Sequence, residues 1–76
     1  MKDVQKMIEM LTQQISWKQE ELRDELEYVA DVAQENRGTS YYLADLERAM
    51  NVAKKTQESI RELEIKLNTL KYILEG

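Results

Sequence analysis

The chain of 76 residues contains no cysteine, no histidine and no proline, and only two glycines. Without cysteine, neither a disulfide framework nor a thiolate zinc site can add stability. Without histidine as well, no side chain offers a base poised near neutral pH or a soft ligand set. A di-metal carboxylate bundle needs Glu-x-x-His pairs projecting inward. No serine has a plausible activating base, and a single glycine in a turn makes no phosphate-binding loop. Enzymatic activity, a bound metal, a cofactor and a small-molecule substrate are therefore not expected. No apolar run approaches the ~20 residues that cross a bilayer. The start, Met1-Lys2-Asp3-Val4-Gln5-Lys6, leads into no signal-peptide core. A cytoplasmic location without membrane contact is the expectation.

What is present points to long helices. Charged residues make up 34% and hydrophobic residues 42% of the chain, and the scarcity of glycine and proline leaves helical segments uninterrupted, so the class is all-α. Punctuation occurs in one place, Asn36-Arg37-Gly38-Thr39-Ser40. Gly38 suits the left-handed position that ends a helix, because it has no Cβ to clash there. Thr39 or Ser40 can cap the next helix with its hydroxyl. These signals predict a single helical-hairpin domain over residues 1–76: helix 1 over about 3–36, a turn over 36–40, and helix 2 over about 40–75. Each helix is expected to be roughly 50 Å long at 1.5 Å per residue.

Periodicity predicts how the helices meet. In the second half, Tyr42, Leu46, Ala49, Ala53, Thr56, Ile60, Leu63, Leu67, Leu70 and Leu74 recur in unbroken alternating steps of three and four, the seam of a coiled coil. The first half carries Val4, Ile8, Leu11, Ile15, Gln19, Leu22, Leu26, Val29 and Ala33. Here the step from Ile15 to Gln19 and on to Leu22 inserts a stutter that relaxes the supercoil. Pairs across the hairpin have numbers that sum to 75 or 74, which centres the turn between Arg37 and Gly38. That alignment places Gln19 opposite Thr56, a polar layer expected to penalise slipped registers. The fold expected is a two-helix antiparallel coiled-coil hairpin.

A hairpin needs only its seam covered, yet many apolar residues lie outside it. Met7, Met10, Trp17 and Tyr28 fall on helix 1, with Val32 nearby; Leu43, Met50, Val52, Ile65, Tyr72 and Ile73 fall on helix 2. A series of this size on a chain too short for a comfortable core marks an interface. The expectation is dimerisation into a four-helix bundle, binding of another protein, or both. Trp17 and the adaptable Met7 and Met10 are the expected anchors.

Charge forms the second surface feature. The net charge is −4, and residues 20–35 hold Glu20, Glu21, Asp24, Glu25, Glu27, Asp31 and Glu35 against the single base Arg23. The plain reading is a solvated face with weak pairs across the helices, Glu20 near Lys55 and Glu21 near Lys54. The sharper one is an acidic strip that docks on a basic partner or imitates a phosphate backbone. Nucleic acid itself is not an expected ligand, since Glu47, Glu58 and Glu62 interleave Arg48, Lys55 and Arg61.

In length and hairpin layout the chain resembles small bacterial helical hairpins, among them type III secretion co-chaperones, type VII secretion partners and plasmid copy-control RNA-binding hairpins, and also small phage-encoded inhibitors. It departs from the type VII partners, whose turn carries Trp-x-Gly, because Trp17 is mid-helix and Gly38 follows Arg37. No functional residue carries over from these likenesses. The expected function is a non-enzymatic interaction module, an adaptor, co-chaperone or inhibitor. A purely structural homo-oligomerisation module and an acidic nucleic-acid mimic are the alternatives.

Overall fold

A computed structural model describes residues 2–35 and 40–75. They form two α-helices, α1 (Lys2–Glu35) and α2 (Ser40–Glu75), packed against each other as an antiparallel hairpin about 57 Å long and 15 by 13 Å across its backbone. Among the described residues there is no strand, and no helix is long and apolar enough to cross a membrane. Asn36 and Gly38 of the expected turn lie outside the described residues; Ser40 opens α2. Asp3 in the first turn of α1 complements the positive end of the helix dipole. Neither helix has a basic residue in its last turn, so packing, more than end charge, holds them.

The seam of α2 is the expected one: Leu46, Leu63, Leu67, Leu70 and Leu74 are half-buried, and Ala49, Ala53, Thr56 and Ile60 are buried. The side chain of Tyr42 lies outside the described residues. The seam of α1 differs from the expected one. Its inward residues are Val4, Ile8, Leu11, Ile15, Lys18, Leu22, Glu25, Val29 and Val32, an uninterrupted alternation of four- and three-residue steps, with Ala33, expected at the seam, half-buried beside Val32. There is no stutter. Gln19 is exposed, and Leu26 is 52% exposed; Lys18 and Glu25 take their places at the seam, and Val32, not expected there, is 5% exposed. The physical reason is that α2 keeps a strict heptad, and a partner that drifted through an 11-residue spacing would rotate its stripe away from it.

The polar layer is also different. The Thr56 hydroxyl donates to the Glu25 carboxylate, with its two oxygens at 2.5 and 2.8 Å, and does not meet Gln19. The numbers 25 and 56 sum to 81, and the same offset recurs where Leu11 and Leu70 wall one groove and Lys18 and Leu63 another. Side chains lean toward the N-terminus of their own helix. Those of α1 therefore lean away from the turn and those of α2 toward it, so contacting residues on α2 sit farther from the turn than their level neighbours. Glu25 receives a charge-assisted donor. Lys18 escapes along its stem to Glu21 at 3.3 Å, its side chain 41% exposed.

Candidate functional site

The depressions on the hairpin follow from its heptads. On one flank, α1 contributes the positions three and four apart that run Met7, Met10, Gln14, Trp17, Glu21, Asp24 and Tyr28, and α2 contributes the matching rows of its own heptad. Three shallow grooves line up there. At the open end, Met7 and Met10 face Ile65 and Leu70, with Gln14, Lys66 and Thr69 at the rim. In the middle, Trp17 lies beside Gln14, Lys18 and Glu21, across from Ser59, Glu62 and Lys66. Toward the turn, Tyr28 and Val52 share a groove with Glu21, Asp24, Asp45 and Arg48. Gln14 and Lys66 border the first two grooves and Glu21 the last two, so the flank is one continuous trough from Met7 to Tyr28.

This trough gathers six of the apolar residues singled out in the sequence, and all six are exposed: Met7 at 49%, Met10 at 55%, Trp17 at 60%, Tyr28 at 61%, Val52 at 48% and Ile65 at 59%. Ile73 occupies the heptad row that continues the flank past Lys66, and Tyr72 points outward next to it; both are exposed. Leu43 and Met50 fall in the row on the opposite side of the α2 seam and do not line the trough. Leu26, which a seam reading hides, belongs with them as an exposed apolar residue on that opposite side, in a shallow depression with Leu22 and Ala30. Placing Glu25 at the seam is the signal that would have revealed it. In the middle of the opposite flank the walls are Gln19, Lys54, Gln57, Glu58, Arg61 and Glu64 around Leu22 and Ile60. One flank is thus apolar at its open end and holds Trp17 among charged and polar residues at its centre, and the other is charged at its centre.

The acidic strip is reshaped. Glu25 is drawn into the seam by Thr56, while Glu20, Glu21, Asp24, Glu27 and Asp31 stay exposed. Glu21, expected opposite Lys54, pairs along its own helix with Lys18. Among the described residues, no three acids converge as a metal-binding group. The open end also carries Thr12 and Thr69, whose hydroxyls donate to the carbonyls of Ile8 and Ile65 at 2.8 and 2.9 Å, so that the Thr69 donor at the trough rim is engaged within its own helix.

Compared with family models, with curated proteins and with solved structures, the chain matches none. The class defined by the fold is a two-helix hairpin with an exposed apolar trough along one flank.

Proposed function

We propose that the chain is a non-catalytic, cytoplasmic protein-binding module that docks through the Met7–Tyr28 flank. The observation that carries this reading is the exposure of Met7, Met10, Trp17 and Ile65 together in one trough. Scattered exposed apolar residues are ordinary, but aligned ones that include an indole and two thioethers match the composition of binding hot spots. All six buried residues among those described belong to the middle of the hairpin or its small-residue layers, and no described side chain is fully buried. A chain with so slight a core gains from covering more surface.

The single tryptophan supplies the test. Fluorine-labelled Trp17 gives one resonance, to be followed in the purified chain and in an extract of its native host. Docking predicts a shifted or broadened signal in at least one of the two settings, restored to the sharp free position by Ile65→Glu. A sharp, unshifted resonance in both settings, identical to that of Ile65→Glu, overturns the reading.

A further inference from the structure

We infer that the occupant of this trough is a second copy of the same chain, laid turn over turn so that α1 of each hairpin rests on α2 of the other. The inference rests on the docking reading and names its partner. Three observations carry it.

The first is area. A hairpin face of 57 by 15 Å has a footprint of about 860 Å². That leaves room for the roughly 800 Å² of surface that each partner of a standard stable interface buries.

The second is charge. The α1 segment Lys2–Glu35 holds nine acids and four bases, a net −5, while Ser40–Glu75 holds six of each, a net 0. Two hairpins can pair through the same flank in two ways. The head-to-tail way stacks α1 on α1 and opposes −5 with −5. The turn-over-turn way stacks α1 on α2 and brings Glu21 and Asp24 of one copy level with Arg48 and Lys55 of the other. Like charges facing each other across an interface cost several kcal/mol of specificity, and opposite ones steer encounter.

The third is the distribution of apolar surface. Only the open end of the trough is walled mainly by apolar side chains, Met7, Met10, Ile65 and Leu70, whereas the turn end mixes Tyr28 and Val52 with Glu21, Asp24, Asp45 and Arg48. Turn over turn, apolar end meets apolar end and charged end meets charged end. Head to tail, the thioethers would lie against carboxylates.

The resulting object is an isologous four-helix bundle in which every neighbouring helix pair is antiparallel. Because the chain has no cysteine, a single Gln34→Cys places one spin label per copy near the turn, on the outer surface. Mass in solution and the label-to-label distance are then measured together. The expected result is a dimer with labels about 20–30 Å apart, two to three helix diameters. Met10→Glu and Ile65→Glu should each weaken the dimer about 30-fold or more, the range of a hot-spot loss. Gln57→Glu, on the opposite flank, should leave it unchanged.

A label distance near the hairpin length of 57 Å overturns the arrangement. A dimer indifferent to Met10→Glu and Ile65→Glu overturns the choice of flank. A chain monomeric at every concentration, or one of any other stoichiometry, overturns the self-pairing; a Trp17 resonance that still shifts in the host extract would then leave the docking reading standing. If separation of the copies unfolds the hairpin, the Gln34→Cys distance in the otherwise unchanged chain still decides.

Discussion

The two halves of the hairpin solve the same packing problem with different success. From the turn to the middle, the seam sets half-buried Leu22, Val29 and Leu46 among small, paired or well-covered residues, Val32 with Ala49 and Ala53, then Thr56 held by Glu25, then Ile15 and Ile60, and here every buried residue of the described chain is found. Beyond Ile15 and Ile60, toward the open end, the seam is entirely aliphatic, with Val4, Ile8 and Leu11 facing Leu63, Leu67, Leu70 and Leu74, yet every one of these stays partly exposed. Alanines let the backbones approach and shield one another. Leucines hold two helices apart, and two helices alone cannot surround a leucine. Hydrophobicity of the seam is therefore no measure of how complete a core is; the greasier half is the less finished one, and it is also the half that carries Met7, Met10 and Ile65.

Substitutions that exploit this contrast fall in a definite order. The largest effect is expected at Ile60→Ala, which empties a site only 7% exposed and should cost about 2–4 kcal/mol in urea denaturation. Leu70→Ala at the open end should cost clearly less in the separated hairpin, and its cost should grow with protein concentration as the open end is covered. Equal costs at all concentrations would erase the distinction between the halves.

Next comes the Glu25–Thr56 layer. Thr56→Val removes the donor and leaves a half-buried carboxylate without its partner, a loss of about 1–3 kcal/mol. Glu25→Met removes the charge itself and should be neutral or stabilising, as replacement of buried charged groups by apolar ones often is. A destabilisation by Glu25→Met as large as that by Thr56→Val would show that the carboxylate, more than its satisfaction, matters.

Leu26→Gln should change stability by no more than about 0.5 kcal/mol, the ordinary size of a surface substitution. A loss like that of a core leucine would restore the stutter and the Gln19 layer. Smallest of all, Lys18→Gln should cost at most about 0.5 kcal/mol through its pair with Glu21, an effect that should fade with added salt.

These same residues show why part of the molecule is legible in its sequence and part is not. The α2 seam reads directly because its heptad is unbroken and apolar but for Thr56. The helix ends, at Glu35 and Ser40, fall within a residue of where the turn chemistry puts them. In α1, a rule that favours apolar residues selects Gln19 and Leu26 over Lys18 and Glu25. The rule fails because charge at a half-solvated seam costs little when one group snorkels and the other meets a hydroxyl 31 positions away, which no local pattern contains. The register misleads for a related reason: level positions follow from chain length, while contacts follow from the lean of side chains. The exposed residues of the trough were legible because each departs from an intact heptad. Their union into one flank, with Leu43 and Met50 on the other, required the α1 seam to be placed correctly.

Amide hydrogen exchange across a dilution series tests the central contrast most directly. At concentrations where the copies are paired, amides around Leu11 and Leu67 should be protected nearly as well as those around Val29 and Ala53. On dilution, the open half should lose protection first, and Met10→Glu should produce the same pattern without dilution. Protection of the open half that stays equal to that of the turn half at every concentration, in both proteins, would contradict the claim that the open half is completed by docking.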